Sequence, residues 1–404
     1  MAITTARTVR SATGAGAGRV LTVQLGRPAA PLTHAANGAL YGLSDDGVPG
    51  DAALAPLRLG SVTQKPEGGQ QHPNGDALTV SSAFFRNGGG EVLVLAQDDY
   101  RRWPYEDLGI EEHLRRLEAI ARRLAAHPRA ERFVVVPFNE PDGIWYGLNA
   151  EDEAEYATGR DRFLADWTAA YARVRAVAPG LRIAGPNEAA YDRRFLPEFL
   201  AHAARHGVLP DVLTWHELAP SSLAEFRAHH AHYRALEREL GIGPLPVTIT
   251  EYGNRRDLSV PGQLVQWVGM FEEAGVAANQ AYWDQAGNLD GNVVRTTVPN
   301  GGWWFFRWYA AMTGGASPSC RRNPTRWTRS RASPASTRGG GRRRRWSAAP
   351  TARSTWSSPA CRTRCWAGRS PSPWPRRAGP ATRARTPPPG CWPAPWPRSP
   401  TTAR

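Results

Sequence analysis

FVVVPFNEPDGIWYG, residues 133–147, opens with four consecutive apolar residues, Phe133 to Val136, and reaches Asn139, Glu140, Pro141 and Asp142 within six positions. A short unbroken apolar run bounded by turn residues marks a strand buried on both faces, because a strand with one wet face would alternate. This strand ends on a carboxylate flanked by an amide, with Trp145 and Tyr146 just beyond.

The same pattern recurs along the chain. Strands are predicted over 37–47, 56–62, 91–100, 133–140, 181–188, 211–217, 245–253 and 276–284. Between them lie segments of helical period: Leu114, Leu117, Ile120 and Leu124 step by three or four, as do Phe163, Trp167, Tyr171 and Val174. Further helices fit 192–206, 222–240, 262–274 and 301–312, with a weaker one at 76–86; Gly207, Gly241 and Gly275 punctuate their ends. Apolar strands alternating with helices make a parallel sheet covered by helices, and eight such units in about 280 residues fit a (β/α)8 TIM barrel. An open doubly wound sheet is the rival, but no Gly-rich phosphate-binding turn follows the first strand.

Chemistry in such a barrel belongs to the C-terminal ends of the strands. The polar residues predicted there are Asp45 and Asp46, Arg58, Gln97 and Asp98, Asn139 and Glu140, Asn187 and Glu188, His216 and Glu217, Glu251, and Trp283 and Asp284. Helix capping accounts for Asp46 and Asp284 but suits the longer Glu poorly. Glu140 on strand four and Glu251 on strand seven stand three strands apart, so both reach over the mouth. Two carboxylates flanking a sugar are what glycosidic cleavage requires, one to protonate the leaving oxygen and one to attack or to activate water. Glu188 and Glu217 are rivals for these roles. His229, His230 and His232 read as a solvated helix face rather than a metal site.

"NEP" at 139–141 and "TEYG" at 250–253, in register with the barrel, resemble the retaining glycoside hydrolases of clan A over most of residues 37–315, closest to the family 39 (β-xylosidase and iduronidase) type. The resemblance implies that Glu140 is the acid/base and Glu251 the nucleophile. It implies that Asn139 binds a sugar hydroxyl, that Arg58 keeps the nucleophile ionised, that His216 lies beside the nucleophile and that Trp283 floors the sugar site. Trp145 and Asp98 are further candidate substrate-binding residues; Trp145 either stacks on sugar or only packs its loop. A retaining mechanism predicts carboxyl groups about 5–5.5 Å apart. No metal or cofactor is expected; the expected partner is a carbohydrate substrate. The alternatives are a barrel that binds sugar without cleaving it and nucleic-acid binding through a basic tail.

That tail explains the composition. The 404-residue chain has a net charge of +14, yet 20 of its 50 basic residues are arginines in 316–404, which holds no Asp or Glu. The other 30 basic residues face 36 acidic ones, so the body is net −6. All four cysteines (Cys320, Cys361, Cys365, Cys391) also lie in the tail, which has no aliphatic residue larger than alanine apart from proline. Such a segment cannot bury a core that offsets chain entropy, and its composition fits a GC-rich gene read out of frame. The expected organisation is a disordered start (1–17), a strand segment (18–36) belonging to a lost or truncated β-sandwich, the catalytic barrel (37–315) and a disordered, frameshifted tail (316–404). No membrane span or signal peptide is read from the chain as written, and it specifies neither compartment nor oligomeric state.

Overall fold

Eight parallel strands close on themselves in chain order in the computed structural model: β1 (Gly38–Leu40), β2 (Ser61–Gln64), β3 (Glu91–Leu95), β4 (Phe133–Val136), β5 (Arg182–Glu188), β6 (Val212–Glu217), β7 (Val247–Tyr252) and β8 (Ala277–Gln280). The ring shuts where Gly38 and Ala39 of β1 pair with Asn279 and Gln280 of β8. The (β/α)8 barrel is thus the architecture. The described residues are 31–44, 47–72, 75–254, 258–281, 287–289, 291–295 and 297–313. All belong to the first of two compact units, Met1–Pro334. The expectations for residues 1–30 and for the tail 316–404 fall outside the described residues, as do those for Asp45, Asp46, Trp283 and Asp284.

The helices are α1 (Asp51–Leu54), α2 (Ala77–Arg86), α3 (Ile110–Ala125), α4 (Glu153–Val177), α5 (Phe195–His206), α6 (Ser222–Leu240), α7 (Pro261–Ala274) and α8 (Gly301–Ala311). Asp76, Asp152 and Asn300 cap α2, α4 and α8 by accepting from the first free backbone N–H groups. Gly207, Gly241 and Gly275 end α5, α6 and α7 in the left-handed conformation that favours glycine. Among the described residues, no helix is long and apolar enough to cross a membrane.

Strand alternation sorts the core into two layers. Leu93, Leu95, Val134, Val136, Ala184 and Val212 fill the inside of the barrel. Their neighbours Val92, Val94, Phe133, Val135, Ile183 and Leu213 face the helices. Both faces are dry, which is why these strands read as continuous apolar runs. Leu114, Leu117, Ile120 and Leu124 of α3 pack into the outer layer at the spacing read from sequence.

Irregularities in three strand pairings re-aim side chains at the mouth, one of them between β6 and β7 at Trp215 and His216. The pairing of β7 with β8 shifts between Ile249 and Tyr252, and that of β5 with β6 shifts between Pro186 and Glu188. Bulges of this kind commonly re-direct side chains beside active sites. In β7 the shift lets Thr250 and Glu251 both face the interior before Tyr252 returns to the outer core. Strand two corrects the sequence reading. The segment read as strand 56–62 instead makes a 3-10 turn (Ala55–Leu57), followed by Arg58 in the left-handed region at φ 47°, and β2 begins only at Ser61.

Candidate active site

Three side chains converge at the C-terminal mouth. His216, the fifth residue of β6, projects into the barrel because Trp215 and Glu217 on either side project out of it. It pairs in register with Glu251 of β7. Glu140 follows β4 in a left-handed turn, φ 51°, which its own backbone secures. Its N–H donates to the Asn187 carbonyl (2.9 Å), and its C=O accepts from Gly143 (3.0 Å) and Ile144 (2.8 Å). Nδ1 of His216 lies 3.3 Å from Oε1 of Glu140, and Nε2 lies 3.7 Å from Oε1 of Glu251. These are charge contacts rather than aligned hydrogen bonds. Atoms of the three side chains all lie within 4.8 Å of one another. Among the described residues, this trio is also the set of imidazole and carboxylate groups close enough to hold a cation.

The imidazole is fully buried, which pulls its pKa down. Glu251, then Glu140 and Asp142, push it up and prevail, so His216 holds its proton more tightly than an ordinary histidine. A cation between two carboxylates offsets the repulsion that would otherwise oppose bringing both into one buried site.

A hydrogen-bonded chain below the trio ties five strands together. The hydroxyls of Tyr41 and Tyr105 both donate to Asp98, the latter at 2.9 Å. Asn139 Nδ2 donates to the Tyr105 hydroxyl (3.1 Å), Asn187 Nδ2 to Asn139 Oδ1 (2.8 Å) and Thr250 Oγ1 to Asn187 Oδ1 (2.6 Å). The Asn139 backbone N–H donates to Gln97 Oε1 at 2.5 Å. Burial pushes the Asp98 carboxyl up to about 7, against the two tyrosine hydrogen bonds. Asn139 keeps one amide hydrogen beyond these bonds.

Other sequence-predicted residues stand elsewhere. Arg58 is exposed and precedes β2, at the end of the barrel opposite the mouth, so it cannot hold Glu251 ionised. An alternating Leu-Arg-Leu imitates a strand, but Leu57 and Leu59 bury themselves around a turn instead. Asp98 is fully buried with both oxygens engaged by tyrosines; it braces Asn139 through Tyr105 rather than reaching a ligand. Trp145 packs its loop: its indole donates to the Tyr105 carbonyl (3.0 Å), and its ring meets Tyr100 and His113 edge-on. The histidines of α6 are not a solvated face. His229 Nδ1 contacts Oε1 of Glu217 at 2.8 Å and stacks on Tyr191, while His232 Nδ1 shares a 2.6 Å hydrogen bond with the Tyr191 hydroxyl. Trp103, absent from the sequence reading, donates its indole N–H to Oε2 of Glu140 at 2.9 Å. The only signal for it was the aromatic-rich YRRWPY at 100–105, after β3.

No family model matches the chain. Two curated proteins align with it. A 3-O-beta-L-arabinopyranosyl-alpha-L-arabinofuranosidase of Bifidobacterium pseudocatenulatum is 39% identical over 327 residues, covering 69% of this chain and 33% of that protein. A 3-O-alpha-D-galactosyl-alpha-L-arabinofuranosidase of Bifidobacterium longum subsp. longum is 35% identical over 347 residues, covering 73% and 30%. The barrel with its paired glutamates and these two alignments agree. Over its barrel the chain is similar to these glycosidases. It spans about a third of the length of the curated relatives it matches. Among solved structures, N2152 from Neocallimastix frontalis is 27% identical with a TM-score of 0.61, covering 70% of this chain and 69% of that one. A monomeric beta-xylosidase from Caulobacter crescentus CB15, 16% identical with a TM-score of 0.50 and covering 71% and 70%, shares the fold.

Proposed function

We propose that this chain is a retaining glycosidase that releases an α-L-arabinofuranosyl unit carrying a further sugar at its 3-hydroxyl. The observation that carries the reading is the approach of Glu140 and Glu251, oxygen to oxygen, within 4.8 Å around His216. Retaining enzymes place their carboxyl groups about 5–5.5 Å apart, whereas inverting enzymes leave about 6.5–9.5 Å for a water. In this reading Glu251 attacks the anomeric carbon while Glu140 protonates the departing oxygen. A glycosyl ester on Glu251 results. Glu140 then takes a proton from water, which attacks the same carbon and frees Glu251. Asn139 offers its remaining amide hydrogen to a sugar hydroxyl, and Trp283 is the floor implied by resemblance. The substrate class follows the printed activities of the two relatives, both arabinofuranosidases named for a 3-O-sugar.

The test is a panel of aryl glycosides with the full chain. Aryl α-L-arabinofuranosides, with and without a 3-O-sugar, are expected to be cleaved with retention of configuration. Glu251→Ala should abolish turnover. Glu140→Ala should keep activity on good leaving groups, and azide should restore it as a glycosyl azide of retained configuration. Inverted product, or azide rescue of the Glu251 variant alone, overturns the assignment.

A further inference from the structure

We propose that Trp103 forms the shelf on which the leaving-group sugar lies and so selects what may be cleaved from the arabinofuranosyl unit. The inference rests on the acid role proposed for Glu140. An acid that protonates the glycosidic oxygen must lie within hydrogen-bond reach of it, roughly 2.6–3.2 Å. The group attached to that oxygen therefore passes beside the Glu140 carboxyl, on the side away from Glu251. Trp103 borders that space: its indole nitrogen is 2.9 Å from Oε2 of Glu140, and 45% of its surface is exposed. An indole with this much exposed surface beside the acid can be covered by a ligand, and the C–H face of a sugar is a suitable cover.

The loop is built to present the ring. On its N-terminal side, the Tyr100 hydroxyl donates to Glu112 Oε2 at 2.6 Å while the Arg116 guanidinium lies 4.5 Å above the Tyr100 ring. On its C-terminal side, buried Tyr105 donates to Asp98. Between these two anchors, residues 101–104 are exposed, with Trp103 at the site. The indole thus has two functions: its face receives the leaving sugar, and its N–H fixes Oε2 of the acid.

Two substrates separate this role from general damage. An oligosaccharide in which the arabinofuranosyl unit is linked to a second sugar fills the leaving-group site; α-L-arabinofuranosyl fluoride leaves it empty and its departing fluoride needs little acid assistance. For Trp103→Ala, kcat/KM on the oligosaccharide should fall about 10- to 100-fold, and on the fluoride less than about threefold. Trp103→Phe keeps a ring without the N–H, so KM for the oligosaccharide should recover to within a few-fold of wild type while kcat stays reduced. Equal losses on both substrates, or no loss on the oligosaccharide, overturn the proposal. A wild-type protein that cleaves neither substrate nor any other glycosyl fluoride overturns the proposed function and this inference with it; a working wild type with unselective variants overturns the inference alone.

Discussion

Four strand ends of this barrel carry a glutamate after a polar residue: Asn139-Glu140, Asn187-Glu188, His216-Glu217 and Thr250-Glu251. Two of the four meet in the mouth and two do not, and the difference lies in which face of the sheet each occupies. Register partners in a parallel sheet share a face. Glu251 pairs with inward His216, whereas Glu188 pairs with Trp215 and Glu217 with Tyr252, both of which belong to the outer core. Glu188 and Glu217 are therefore buried between strands and helices. Glu188 has no hydrogen-bond partner on either oxygen; burial, then Asp142 and Asp192, push its pKa well above the usual carboxylate range. Glu217 accepts from the Trp215 indole and contacts His229. A glutamate at a strand end thus reaches the mouth from one face of the sheet and becomes framework on the other.

The largest effect should separate the pairs by activity. Glu251→Gln should lower kcat/KM by at least about 10⁴-fold, since it removes the group proposed as the nucleophile. Glu140→Gln should cost about 10²–10⁴-fold on poor leaving groups. Glu188→Gln should stay within about threefold of wild type, because its side chain never reaches the mouth. Steady-state rates on one arabinofuranoside decide the matter; a collapse in the Glu188 variant would break the comparison.

What sequence could and could not reveal follows the same line. Apolar runs ending in polar residues located the barrel, its helices and the positions of Glu140, His216 and Glu251. Alternation alone did not separate Glu188 from Glu140, because a bulge at Pro186–Glu188 and left-handed turns at Asn187 and Glu140 reset the count locally. Arg58 was misplaced because a turn with two buried leucines has the same pattern as a strand. Trp145 and Trp103 occupy loops, where no periodicity tells which ring packs inward and which stays open. His229 was misread because its partner, Glu217, comes from a strand edge rather than from its own helix.

Glu188 sharpens the comparison through pH. Its folded-state pKa lies above its unfolded value, so the folded chain holds the proton more tightly. That contribution is fully present below the unfolded pKa, about 4.5, and is lost as pH rises toward the folded one. Asp142, pushed up to about 6 chiefly by burial, acts in the same direction. Glu188→Gln cannot ionise, so its stability relative to wild type should grow with pH, reaching about 1–3 kcal/mol at pH 9 and near zero at pH 4. Thermal unfolding from pH 4 to 9 measures this, and parallel curves for the two proteins would show that the carboxyl is not held neutral by its burial.

Glu217 should show a stability effect of comparable size and opposite sign. Its Oε1 accepts from Trp215 Nε1 at 2.8 Å and contacts His229 Nδ1 at 2.8 Å, with the carboxylate almost wholly buried. Truncation leaves the indole N–H of a buried tryptophan without an acceptor, which costs about 1–3 kcal/mol. Glu217→Ala should therefore lower the urea midpoint, whereas Glu217→Gln retains an acceptor for Trp215 and should lose less. Glu217→Ala also removes the contact with His229, whereas the amide oxygen of Gln can stand in for Oε1 toward both partners, so the variants differ in whether Trp215 and His229 keep their acceptor. His229→Ala supplies the third corner: it leaves the Trp215 bond intact and should cost less than Glu217→Ala. The double variant should cost less than the sum of the two singles, because both break one contact. Strict additivity would mean that the two side chains do not support each other, and that the outer glutamate is framework through Trp215 alone.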